Sequence, residues 1–261
     1  MLATYDAVRF IKVLESGRTR PILLECELSD DSGTSLGTFV VKAPGLPEVD
    51  DYGLFSETLG YLLAQEFDVE TPKPALVQLS TDFVAIVNPV LSGYGLSIRP
   101  GLGFGSEHLG SGLVAASGNE YLNAEQLETS LRIFCYDLLI QNPDRLQTNP
   151  NCLIKNGRFI AFDFNVAFSF LLLIGKAGEP WEFSKHQIAE NHVFYRALRG
   201  KVLDFKPFIN KVTELSPEIL DEILAAIPFG DGQWNTKVRD QLTSVVENAA
   251  KLEIEFARCL R

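Results

Sequence analysis

Two short apolar runs, Cys152–Lys155 and Arg158–Asp163, are joined by Asn156-Gly157, and no other stretch of this chain constrains its fold as tightly. Asn-Gly accepts two consecutive left-handed backbone conformations at little cost, so it closes a two-residue hairpin whose twist matches the flanking strands. The hairpin is entered from Asn142-Pro143-Asp144-Arg145-Leu146-Gln147-Thr148-Asn149-Pro150-Asn151 and left through Asp163-Phe164-Asn165. One acid and two amides therefore stand before it and a second acid after it, all at the ends of regular elements. Ahead of this segment Asn123 caps a helix predicted from Ala124 to about Gln141, with Leu127, Leu131, Phe134, Cys135, Leu138 and Leu139 on its apolar face.

The N-terminal part reads as strands. Tyr5–Leu14, Ile22–Leu28 and Thr38–Lys42 are β-rich runs separated by a short turn, Glu15–Pro21, and by an Asp/Ser/Gly loop around Ser29–Gly37. Apolar residues recur with helical spacing from Tyr52 to Phe67, and Thr71-Pro72-Lys73-Pro74 forces an extended exit. Ala75–Leu79 and Phe83–Val87 read as two further strands, and the glycine-rich stretch 92–119 as a long connecting loop. After Gly178 the chain reads as helical, with Ser216-Pro217-Glu218 starting one helix, Ile227-Pro228 stopping it and Asn235 opening a long last one.

Composition removes several classes of function. At 261 residues and 46 % hydrophobic the chain buries a substantial core. A net charge of −11 repels nucleic-acid backbones and anionic lipid headgroups, so an anionic ligand such as ATP needs a locally cationic site. The longest apolar stretch, Val166–Ile174, is interrupted by Ser169 and is far shorter than the roughly 18–20 residues of a membrane span; it is expected to be buried. Asp6, Arg9 and Lys12 break any secretory leader pattern, and the widely spaced Cys26, Cys135, Cys152 and Cys259 suit free buried thiols, so a cytoplasmic protein is expected.

Phosphoryl transfer needs a carboxylate beside the attacking hydroxyl, oxygen ligands for Mg²⁺ and a cation on the phosphates. Asp144 suits the first task, Asn149 or Asn151 with Asp163 the second, and Lys42 at the end of its strand the third. Taken singly, each has a plainer reading: Asn-Pro-Asp and Asn-Pro-Asn are good turn formers, and a lysine ending a strand is commonly a solvated charge. Their joint order favours the site. The turn Gly17-Arg18-Thr19-Arg20 offers backbone N–H groups and two guanidiniums for phosphate, or is an ordinary β-turn with exposed basic residues. His108, His186 and His192 are too scattered for a metal site, and Gly105-Ser106-Glu107 lacks the second glycine of a nucleophile elbow.

Val40-Val41-Lys42, a helix with an early Glu57, Asn142-Pro143-Asp144-Arg145, Asn149-Pro150-Asn151, the hairpin and Phe162-Asp163-Phe164 together resemble the HipA-like kinases and, more distantly, the catalytic loop and DFG segment of protein kinases. Gly17–Pro21 before a strand, Phe104-Gly105-Ser106-Glu107, and Ile227-Pro228 followed by Trp234 add to the resemblance. It implies a bilobal α+β protein-kinase-like fold: an N-terminal antiparallel sheet with one helix (residues 1–90) and a mainly helical C-terminal lobe (91–261), with ATP between them. It further implies that Lys42 binds the α/β-phosphates, ordered by Glu57, that Asp144 is the catalytic base, and that Asp163 binds Mg²⁺. The five-residue spacing from Asp144 selects Asn149 as the second metal ligand, whereas the position just before a strand selects Asn151, which strand register favours. Asn165 stands where protein kinases carry the glycine after Asp-Phe, and there is no GxGxxG loop. The expected activity is transfer of the ATP γ-phosphate to a protein Ser/Thr. The alternatives are a small-molecule kinase on the same scaffold and a nucleotide-binding pseudo-kinase acting as a regulatory or toxin–antitoxin partner. Ser16 and Thr19 offer hydroxyls for self-phosphorylation.

Overall fold

The structure, a computed structural model, describes residues 2–14, 17–30, 33–118, 121–173 and 178–261. Ser16, and the central residues 31–32 of the second loop, lie outside that range. β1 (Thr4–Val13), β2 (Ile22–Asp30) and β3 (Gly33–Lys42) pair as an antiparallel meander. They are followed by α1 (Asp51–Glu66), β4 (Pro74–Leu79), α2 (Thr81–Ser92) and β5 (Gly101–Glu107). β5 pairs antiparallel with both β3 and β4, and β4 pairs parallel with β1. The result is a closed five-stranded barrel in the order β1-β2-β3-β5-β4, which leaves no free sheet edge.

This corrects the expectation of an antiparallel sheet with one helix. One strand pair is parallel, and Phe83–Val87 belongs to the second helix, α2, instead of a strand. The Ser80 hydroxyl caps α2 by accepting from Phe83 N at 3.1 Å, and the buried residues Phe83, Val84, Val87 and Leu91 follow a helical spacing. The stretch 92–119 also holds a barrel strand, β5. Two of its glycines are a packing requirement: a Cβ on Gly103 would lie 2.8 Å from Lys42 O, and one on Gly105 2.8 Å from Val77 Cγ2. The barrel therefore runs past residue 90 to Glu107.

The remaining elements are β6 (Val114–Ala115), α3 (Ala124–Leu139), β7 (Cys152–Lys155), β8 (Arg158–Ala161), α4 (Tyr195–Leu198), α5 (Lys206–Glu214), α6 (Pro217–Ala225), α7 (Gly232–Glu247) and α8 (Leu252–Cys259). Asn123 caps α3 in a reciprocal box with Gln126, and Ser216 caps α6 with Pro217 in its first turn. β7 and β8 form the expected hairpin, Lys155 facing Arg158, with Asn156 and Gly157 both at positive φ. The span 178–205 is mostly turns and short 3₁₀ segments instead of the expected helix, and α7 starts after Asp231, not at Asn235. Within the apolar run at Val166, Phe168, Phe170 and Leu171 are buried but Leu172 and Leu173 are exposed, so that run is only half core.

Buried apolar side chains fall into two clusters, one inside the barrel and one among the later elements. α1 contributes Leu54, Phe55, Leu59 and Leu63 to the second cluster although it lies between barrel strands in the chain. Val49, just ahead of α1, packs against both clusters. All four cysteines are buried thiols, and no helix among the described residues is long and apolar enough to cross a membrane.

Candidate active site

Lys42 ends β3 with its side chain buried, and its Nζ donates to Glu57 Oε2 at 2.9 Å and to Asp163 Oδ1 at 2.6 Å. Glu57 is carried by α1, whose first turn is capped by Asp50 accepting from Gly53 N at 2.7 Å. The same Glu57 Oε2 accepts from Phe164 N at 2.8 Å, so one carboxylate oxygen ties the barrel lysine to the backbone just after Asp163. Gly60 makes this approach feasible, because a Cβ there would lie 2.5 Å from Phe164 Cβ. Asp163 sits at φ +61, a left-handed conformation that costs a non-glycine residue about 1–3 kcal/mol and needs surrounding contacts to hold it. Those contacts are the Lys42 ion pair on one side and the fully buried Phe164 ring on the other.

Burial pulls the Lys42 ammonium down, but the charges of Asp163 and Glu57 outweigh it and leave its pKa raised. Burial pushes the Glu57 carboxyl up to about 7, against the lowering effect of Lys42. The two carboxylates thus share one cation in a poorly solvated place.

Asp144 lies in the turn between α3 and β7. Its Oδ2 accepts from Asn149 Nδ2 at 2.8 Å and from Asn151 Nδ2 at 3.1 Å. Burial raises the Asp144 carboxyl, the Asn151 hydrogen bond lowers it, and the more distant charges of Asp163 and Arg18 raise and lower it respectively. The two asparagines differ in how they are held. Asn149 is exposed, whereas Asn151 is buried at φ +41, its carbonyl accepting from Phe162 N at 3.0 Å and from the Arg145 guanidinium. Both amides give their N–H groups to Asp144, so the atom that each would offer a cation is its side-chain oxygen. Two carboxylates plus amide oxygens form a hard donor set that fits a divalent cation such as Mg²⁺. Among the described residues no cluster of three or more His, Cys, Asp or Glu is placed to hold a metal.

Beneath the turn lies a network that reading the sequence missed. Asp137, on the buried face of α3, is ion-paired with Arg145 and accepts from Asn142 Nδ2 at 2.8 Å. His192 Nδ1 accepts from Phe194 N at 3.1 Å, so the ring proton is on Nε2, which donates to Asp137 Oδ2 at 2.9 Å. Burial lowers the His192 pKa and keeps the ring neutral. Arg145 also donates to Phe162 O at 3.2 Å and stands over the Phe164 ring, which locks the Asp144 turn to the Asp163 segment. The available signal was Asp137 itself, a carboxylate in the middle of an apolar helix face, since buried carboxylates are paired.

The turn at Gly17 is split in its engagement. Gly17 is at φ +93, Thr19 is buried, Arg18 is exposed with its charge felt at Asp144, and Arg20 Nη1 donates to Tyr94 O at 3.0 Å. Arg18 is the guanidinium of the pair that bears on the site. Two cavities, of about 270 and 380 Å³, flank the two ends of α1, and neither is lined by Lys42, Asp144 or Asp163. The direct Lys42–Asp163 contact fills the space where those two side chains meet.

A family model described as HipA-like kinase matches residues 7–260. No curated protein matches the chain. Among solved structures, the Helicobacter pylori proinflammatory kinase CtkA is similar at 12 % identity and a TM-score of 0.49, with 97 % of this chain and 99 % of that chain covered. Neurospora crassa PAN3 in its complex with PAN2 is similar at 10 % identity and a TM-score of 0.33, covering 96 % of this chain and 65 % of that one. A Neurospora crassa PAN3 pseudokinase mutant is similar at 10 % identity and a TM-score of 0.34, covering 96 % and 66 %.

Proposed function

This chain belongs to the HipA-like kinase family, and from that premise we propose that it transfers the γ-phosphate of ATP to a hydroxyl acceptor, a protein serine or threonine, in the presence of Mg²⁺. The observation that supports this best is the meeting of Lys42 with Glu57 and with Asp163, residues 15 and 121 positions away in the chain, at hydrogen-bond distance. In this reading the barrel, extended through β5 to Glu107, is the nucleotide lobe, and the later elements form the catalytic lobe.

Lys42 supplies the cation for the nucleotide phosphates and Glu57 fixes its direction, as an ammonium held by a buried carboxylate loses little further freedom on binding. Arg18 adds a second positive charge from the Gly17 turn. Asp163 and Asn151 would hold the Mg²⁺, which when bound neutralises charge on the phosphates. Asp144 accepts the proton of the acceptor hydroxyl while the hydroxyl oxygen bonds to the γ-phosphorus and the bond to the β–γ bridging oxygen breaks, releasing ADP. Asn149 and Asn151 orient that carboxylate through their N–H groups. Asn151 is the better metal ligand because it is buried and its backbone carbonyl accepts two hydrogen bonds, from Phe162 N and from the Arg145 guanidinium.

Isothermal titration with Mg²⁺-ATP tests the nucleotide site. Wild type is expected to bind, Asp163→Asn to bind more weakly by about tenfold or more, and Asp144→Asn to bind like wild type. Absence of binding by folded wild type at millimolar Mg²⁺-ATP would reject the proposal, and binding without turnover would leave a pseudo-kinase.

A further inference from the structure

Trp234 stands in the first turn of α7, fixed there by Asp231 Oδ1, which accepts from Gln233 N at 2.9 Å and Trp234 N at 3.1 Å. Its ring meets Tyr52 edge-on at 5.9 Å and Phe55 tilted at 5.3 Å, both on α1 ahead of Glu57. The loop that delivers it needs glycine: Gly230 is at φ +81, and a Cβ there would lie 2.6 Å from Trp234 Cε3 and 2.9 Å from Phe55 Cδ2. Tyr52 in turn donates through its hydroxyl to Ala167 O at 2.6 Å, so the α1 turn clamped by Trp234 also holds the segment following Asp163.

Two openings lie beside the clamped helix. One cavity of about 270 Å³ opens between Asp51 and Leu54 of α1 and Pro228 and Phe229, and another of about 380 Å³ between Leu62 of α1 and Ile219 of α6. The Trp234 ring against Tyr52 and Phe55 fills the space beside the first turns of α1, next to the first of these openings. We infer that Trp234 is a positioning residue that holds α1 so that Glu57 bonds both Lys42 and Phe164 N. A shift of α1 by a fraction of an ångström loosens two charge-assisted hydrogen bonds at once, because both end on the same Glu57 oxygen. Where it concerns turnover, this inference rests on the phosphotransferase reading; where it concerns the placement of α1, it does not.

The test has two arms on the full chain. In amide exchange, Trp234→Ala is expected to speed exchange at Phe164 N by about tenfold or more while leaving β2 and β3 protected, since only the Glu57 tie is loosened. In phosphoryl transfer, Trp234→Ala is expected to lower kcat by about tenfold to a hundredfold with a smaller effect on KM. Trp234→Phe should restore most of it. In a Glu57→Gln background the same Trp234→Ala change should add less than about twofold, because it acts through Glu57. Trp234→Leu, which keeps apolar volume, serves if Trp234→Ala does not fold and should give an intermediate loss. Unchanged protection at Phe164, or losses that multiply independently of Glu57, would overturn the inference. A wild type without transfer would reject the proposed activity while the exchange arm still decides the role of Trp234.

Discussion

Truncating Asp137 would leave the Arg145 guanidinium buried without its counter-charge, so Asp137→Ala is expected to destabilise the protein by about 3–5 kcal/mol in urea unfolding. A loss below about 1 kcal/mol would mean that the network under the Asp144 turn is not structural. His192 gives this network a pH dependence with a definite sign. Its folded pKa lies below the ordinary 6.5, so on acidification the unfolded chain takes up a proton that the folded protein refuses. Its contribution is therefore complete above about pH 6.5 and declines as pH falls through the folded pKa. The stability advantage of wild type over His192→Gln should shrink between pH 7 and pH 5; an advantage that grew would reverse the assignment. For the asparagines, Asn151→Ala is expected to lose transfer at low Mg²⁺ and regain part of it as Mg²⁺ is raised. Asn149→Ala should keep the wild-type Mg²⁺ dependence and cost less than about 1 kcal/mol, as befits an exposed side chain. The opposite pattern would move the ligand to Asn149. Lys42, Asp144 and Asp163 could be picked out of the sequence because each stands at the end of an element with a clear signal. Asp137, Arg145 and His192 could not be joined in advance, since their pairing depends on a fold that brings position 192 under position 145.

Among the elements, α1 carries the tightest steric demand. Gly60→Ala would set a methyl 2.5 Å from Phe164 Cβ, so either α1 or Phe164 must give way. The expected result is a loss of about 1–3 kcal/mol in unfolding, as for other overpacked sites. Weaker nucleotide binding should accompany it, since Phe164 N is tied to Glu57. Unchanged stability would show that the helix has slack at this point. The β7–β8 hairpin, α3 and α6 were legible because their signals are local: Asn156-Gly157, the Asn123–Gln126 box and Ser216-Pro217 act within a few residues. α2 reads as a strand in the sequence because Phe83–Val87 is too short a run for a period of 2 to be told from one of 3.6. β5 was invisible for a different reason. Its glycines carry no side-chain pattern, and what requires Gly103 and Gly105 is the nearness of Lys42 O and Val77 across the barrel.

At the scale of the whole molecule, the barrel closes through the parallel pairing of Thr4 with Leu76, a contact between distant segments that no local pattern announces. α1 then lies between the barrel and the later elements, and this placement lets one helix carry Glu57 to both Lys42 and Phe164. Chain order is readable in the sequence, whereas the closure of the barrel beside α1 is not. The proposed reaction requires Asp144 and Asp163 to have separate tasks. Its most direct test follows labelled γ-phosphate from Mg²⁺-ATP into protein-bound phosphoserine or phosphothreonine, with wild type and Asp144→Asn compared under conditions where both bind nucleotide. Wild type should transfer label with release of ADP, and Asp144→Asn should fall by about a hundredfold or more, as expected for loss of a general base. Equal rates for the two proteins, or nucleotide binding by wild type with no transfer to any hydroxyl, would contradict the account.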